Sequence, residues 1–158
     1  MREYNLELFA DYHQFYIQDE SSESSLEDSW TEFATENLIA VNDGIVGIGT
    51  VRDFDVSVKI VILNSEPVEI NVESFDIITE CDLKVTSGKI VVAGCTDYFP
   101  EAKRIEIDNG IYRLRTFYGN LNKIDEYGIE GEDFYEVYLW KSDKSEEVKV
   151  LKNINASL

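Results

Sequence analysis

From Asp55 to Leu63 the chain alternates without a break: Val56, Val58, Ile60 and Ile62 share one parity, and Asp55, Ser57 and Lys59 the other. A period of two places the four apolar side chains on one face of an extended strand, the pattern of an antiparallel strand with one wet face. The other apolar runs are equally short. Turn chemistry separates them about every ten residues, which predicts an all-β fold, a two-layer antiparallel β-sandwich.

Individual turns follow from residue type. Asn42-Asp43-Gly44 favours positive φ and predicts a hairpin between residues 38–41 and 45–51. Ser65-Glu66-Pro67 ends the alternating strand, and Val68, Ile70 and Val72 against Glu69, Asn71 and Glu73 begin the next, followed by extended chain over 75–83. Ser87-Gly88 predicts a hairpin of 83–85 with 90–93, and Asn109-Gly110 one of 104–108 with 111–118. Residues 134–140 read as the last long strand, with a short one at 148–151. The total is about nine to eleven strands, with one short helix, in a single domain over 1–158. For that helix Ser29 is the N-cap and Glu32 its capping-box partner; Trp30, Phe33 and Ala34 form the core-facing side, and Asn37 ends it. Between Leu6 and Asp19 apolar residues occupy both parities, which suits a strand with a bulge or one covered on both faces. His13 lies in that run and reads as a half-buried histidine.

Charge narrows function more than any motif does. Fourteen Lys and Arg against 32 Asp and Glu give a formal charge of −18. Phosphate backbones are bound by displacing counterions with Lys and Arg, so direct nucleic-acid binding is disfavoured and a basic protein partner favoured. No apolar run approaches the roughly 20 residues of a membrane helix, and Met1-Arg2-Glu3-Tyr4 lacks the order of a signal peptide, so a soluble cytoplasmic protein is expected.

Chemistry-bearing constellations are scarce. Gly44, Gly47 and Gly49 run in the wrong order for a dinucleotide fingerprint and read as strand glycines at bulges or close packing. Cys81 and Cys95 flank Ser87-Gly88 symmetrically, so a hairpin there leaves a disulfide open, although reduced thiols are the cytosolic expectation. With His13 the sole imidazole, neither a zinc site nor a thiol nucleophile is assembled, and no cofactor or metal ion is expected. Two acidic segments are the candidate contact surface: Glu20, Glu23, Glu27 and Asp28 in a Ser-rich stretch read as a mobile, solvated loop, and Asp125, Glu126, Glu130, Glu132 and Asp133 between the last two long strands. Arg113 and Arg115 share one parity of their strand and read as internal partners for carboxylates.

Residues 10–15 (ADYHQF), 29–31 (SWT), 47–52 (GIGTVR), 87–100 (SGKIVVAGCTDYFP) and 112–121 (YRLRTFYGNL) resemble a bacterial family whose members are mostly uncharacterised. The Tyr-His-Gln-Phe and Trp-Thr segments are also similar to the competence protein J family, whose named member inhibits a DNA-entry nuclease. That resemblance implies a non-enzymatic inhibitor or immunity-type protein binding a nuclease or toxin, and carries over no site residues. The alternatives are a small-ligand or calcium-binding sandwich, with oxygens from Asp97 and the 125–133 loop, and an enzyme using a carboxylate pair.

Overall fold

The computed structural model describes residues 1–155. Eleven strands form two sheets. The first has the order β1 (Arg2–Phe9), β5 (Asp55–Ile62), β10 (Phe134–Ser142), β9 (Gly110–Gly119), β6 (Ile77–Val85), β11 (Lys149–Asn153). The second has the order β3 (Ile39–Asn42), β4 (Ile45–Gly49), β2 (Gln14–Asp19), β7 (Lys89–Gly94), β8 (Lys103–Glu106). The expected all-β sandwich is the observed architecture. Val56, Val58, Ile60 and Ile62 of β5 all enter the core, opposite Phe15, Ile17, Ile48, Ile90 and Val92 of the second sheet. Each such side chain contributes roughly 1.5–3 kcal/mol by leaving water. No helix among the described residues is long and apolar enough to cross a membrane.

Pairing departs from the sequence expectation in particular places. β5 pairs antiparallel with β1 but parallel with β10, so one rung of the sandwich is parallel. Neither Ser87-Gly88 nor Asn109-Gly110 closes a hairpin. β6 and β9 belong to the first sheet and β7 and β8 to the second, so each Gly turns a corner between layers, at φ of 74° and 148° respectively. The two corners brace each other: Gly88 N donates to Asn109 Oδ1 at 2.7 Å, and Ile107 N to Gly88 O at 3.0 Å. Cys81 and Cys95 therefore do not face each other across a ladder, and both are free.

The double parity before Asp19 is also a change of layer. β1 and β2 lie in different sheets, and the 3-10 turn Asp11–His13 joins them. His13 is exposed in that turn, not half-buried in a strand. Residues 68–73, expected to begin a strand, cross the outside of the first sheet as irregular chain that ends in the 3-10 turn Val72–Ser74, with Val68 99% exposed. Phe75 anchors that crossing, its ring centroid 4.6 Å from that of Phe117.

The helix α1 (Glu32–Asn37) is capped by Thr31, not Ser29: Thr31 Oγ1 accepts from Ala34 N at 3.1 Å. Trp30 stands before the helix because its Nε1 donates to Gln14 Oε1 at 3.1 Å. Phe33, expected on the core face, is 53% exposed. Gly47 and Gly49 are close-packing glycines as expected, since a Cβ at Gly47 would lie 2.5 Å from Leu26 Cδ1. Gly44 turns the β3–β4 hairpin at φ 72°.

Candidate partner-binding surface

Four of the five arginines, Arg52, Arg104, Arg113 and Arg115, form salt bridges with carboxylates of the same chain. On the outer face of the first sheet Arg113 Nε lies 3.2 Å from Glu80 Oε1 and its Nη1 2.8 Å from Asp82 Oδ1. Arg115 Nε meets Glu80 Oε2 at 2.6 Å, and its guanidinium stacks 4.8 Å from the Trp140 ring. Burial works against the Arg113 charge, but its hydrogen bonds to Asp82 and Glu80 and their negative charges outweigh it and raise its pKa. Both arginines are thus the internal partners that their parity predicted, buried to 2% and 4% exposure.

The long connection between β9 and β10 is an ordered ribbon. Ile124 bridges Gly131, Asp125 N donates to Glu130 O at 2.8 Å, and Glu132 N to Lys123 O at 2.8 Å. Gly128, at φ 69°, turns the tip, and Asp125 Oδ1 accepts from Ile129 N at 2.8 Å. Asp125, Glu126, Glu130 and Glu132 are all exposed along it. Asp133 is the exception. It is 3% exposed, its Oδ1 is 2.7 Å from Arg52 Nε, and its Oδ2 accepts from Tyr135 Oη at 2.9 Å. Removed from solvent, it belongs to the base of the ribbon and not to a contact surface. Arg52 Nη1 also donates to Ile129 O at 2.6 Å, so one guanidinium clamps base and tip together.

The other acidic segment lies elsewhere. Residues 10–13, 50–54 and 120–133 gather at the end of the sandwich where β2 begins, whereas Glu20 follows the last residue of β2. Six residues of strand separate the two ends by about 17 Å. Glu20 is paired with Arg104 at 2.7 Å. Glu23, Glu27 and Asp28 are exposed, on chain that returns over the second sheet. That chain is fastened: Leu26 is 5% exposed, and Asn42 Nδ2 donates to Ser25 O at 2.8 Å. Asp19, at its root, accepts from Thr86 Oγ1 at 2.7 Å, Ser21 Oγ at 2.8 Å and Ser87 N at 3.1 Å, and from Ser87 Oγ. Burial alone would raise its pKa; these donors prevail and hold it below the ordinary value. The segment is thus solvated at Glu23, Glu27 and Asp28 as expected, but it is fastened to the second sheet by Leu26 and rooted at Asp19, and is not a free loop.

Sequence reasoning missed the residues that join the ribbon end. Tyr12 and His13 are consecutive non-glycine residues in the left-handed region, at φ 59° and 60°. Tyr12 N donates to Asp11 Oδ1 at 3.1 Å and Asp53 Oδ1 at 3.2 Å, and Ala10 N to Phe54 O at 2.8 Å. Tyr12 is left 69% exposed, near the exposed Phe54. Nothing in Asp-Tyr-His announces a left-handed turn, so only its neighbours in space reveal it. Cys95 Sγ donates to Asp11 O at 3.2 Å, and burial first, then the Asp11 charge, raises its pKa, which makes it a poor nucleophile. Burial pushes the Cys81 thiol up to about 12. Among the described residues no group of three or more His, Cys, Asp or Glu is placed to hold a metal ion.

No protein-family model matches the chain, and no curated protein matches it significantly. Two solved structures share its architecture. One is ComJ from Bacillus subtilis, inhibitor of the DNA-degrading activity of NucA, with a TM-score of 0.66 and 21% identity over 89% of this chain and 98% of ComJ. The other is the crocagin biosynthetic gene J product, with a TM-score of 0.57 and 14% identity over 90% of this chain and 99% of that one. At those identities the likeness carries the fold and leaves the site to be argued from this chain's own residues. The chain thus shares the fold of ComJ.

Proposed function

We propose that the protein is a non-enzymatic inhibitor or immunity-type protein that acts in the cytoplasm on a basic protein partner, a nuclease or toxin. The observation that carries this reading is the ribbon, which holds Asp125, Glu126, Glu130 and Glu132 in solvent on an ordered backbone. An ordered anionic projection loses little entropy on docking and is attracted to the cationic clefts with which nucleases hold phosphate. The shared fold with ComJ, which inhibits a nuclease, supports the same reading.

The test is a DNA-degradation assay with a nuclease encoded by the same genome, titrated with this protein at low and high salt. Stoichiometric inhibition that weakens as salt rises is the expected result. Undiminished degradation at low salt, with no basic protein retained on the immobilised chain, overturns the proposal.

A further inference from the structure

We infer that the partner docks on the ribbon end of the sandwich alone, on an apolar patch made by Tyr12, Phe54, Tyr127 and Ile129 among exposed carboxylates, and that the 20–28 segment takes no part. This rests on the inhibitor reading and names its surface.

The four apolar side chains come from three distant stretches of sequence, yet two adjacent residues hold them together. Arg52 binds the carbonyl of Ile129 at 2.6 Å, and Asp53 accepts the amide of Tyr12 at 3.2 Å. Phe54 follows directly and packs on Phe9, ring centroids 6.0 Å apart. Exposures are 69% for Tyr12, 37% for Phe54, 79% for Tyr127 and 51% for Ile129, so large side chains stand in water at one end of the molecule. Exposed tyrosines on a fixed backbone are the residue type that dominates binding energy at interfaces. Tyr12 is held at a left-handed φ, a conformation that residues other than glycine seldom adopt, and its amide is fixed by Asp11 and Asp53, so its backbone is placed before any partner arrives.

Charge identifies the occupant. Asp53, Asp125, Glu126 and Glu130 are exposed in the same stretches, against one exposed cation of the ribbon, Lys123, whereas Arg52, which ties the stretches together, is buried and paired with Asp133. A surface with apolar anchors among anionic side chains complements a protein whose own apolar pocket is rimmed by Lys and Arg. A nucleic acid is repelled by the same carboxylates. The 20–28 segment lacks such apolar anchors: Glu23, Glu27 and Asp28 are exposed, but Leu26, its one apolar residue, is buried at 5% exposure, and Glu20 is already paired with Arg104.

Hydrogen-exchange footprinting with NucA as the probe tests the surface, while DNA degradation by NucA reports the function separately. Protection is expected in 10–13, 51–54 and 124–131, and none in 20–28. Tyr12→Ala and Tyr127→Ala remove exposed side chains and should each weaken binding by about tenfold or more. The double variant Glu20→Gln, Glu23→Gln should bind like the parent. Protection centred on 20–28, or parental affinity in both tyrosine variants, overturns the inference. If NucA is not bound, the same footprint is taken at low salt with a basic pancreatic ribonuclease. Protection of the ribbon end there supports the surface while counting against NucA as the kind of partner; protection elsewhere, or none, overturns the surface too.

Discussion

The two ends of the sandwich each bury one aspartate and use it differently. At the corner end Asp19 forms no salt bridge among the described residues, and hydroxyls and a backbone amide of residues 21, 86 and 87 take up its oxygens. The outcome is a closed junction between layers. At the ribbon end Asp133 pairs with Arg52 and Tyr135, and Nη1 of Arg52 reaches forward to the carbonyl of Ile129. There the buried carboxylate supports a projection and leaves aromatic and acidic side chains outside. The lesson is that carboxylates alike in sequence divide into those that organise the fold and those that remain for a partner.

The comparison is easiest to break at Arg52. Arg52→Ala strands Asp133 in a site where it is 3% exposed, and should destabilise the fold by about 3–5 kcal/mol in urea denaturation. Amide exchange across 123–132 should accelerate together with that loss. A change below about 1 kcal/mol would show that the clamp is dispensable.

A smaller effect is expected at the corner. Asp19→Asn removes charge-assisted hydrogen bonds and should cost about 1.5–3 kcal/mol. The folded-state pKa of Asp19 lies below its ordinary 3.8, so the parent's extra stability is complete above that pH and is lost as pH falls through the lower folded value. Denaturation midpoints measured downward from neutral pH should therefore fall more steeply for the parent than for Asp19→Asn. Parallel acid limbs would contradict the linkage.

The smallest effect on folding sharpens the contrast. Glu126→Gln with Glu130→Gln changes only exposed ribbon side chains and should leave the melting temperature unaltered. The same pair should slow association with a basic nuclease and flatten its salt dependence. A loss of stability instead would place these acids with Asp133 as structural groups.

Local features were legible wherever the physics is local. The alternation of β5 gave its inward face residue by residue, and Asn42-Asp43-Gly44 gave the β3–β4 hairpin. Arg113 and Arg115 were readable as internal partners because shared parity puts them on one face of β9, opposite Asp82 and Glu80 on β6. The corners were not readable: Ser87-Gly88 and Asn109-Gly110 supply the same positive φ whether the next strand pairs back or leaves for the other sheet. Nor was the capping shift, because Trp30 is drawn out of the helix by Gln14, sixteen residues earlier. Of the candidate contact carboxylates, Asp133 was indistinguishable from Glu132 until Arg52, 81 residues away, was placed beside it.

By itself the sequence determined most of the strands, the inward face of β5 and the large excess of negative charge, since period, turn chemistry and composition act over a few residues. Tertiary structure alone decided which strands share a sheet, which carboxylates find a cation, and that the stretches carrying Tyr12, Phe54, Tyr127 and Ile129 are tied together at one end. Those outcomes depend on contacts between residues dozens of positions apart, and burial, which sets the strength of a charge pair, exists only once the layers have closed.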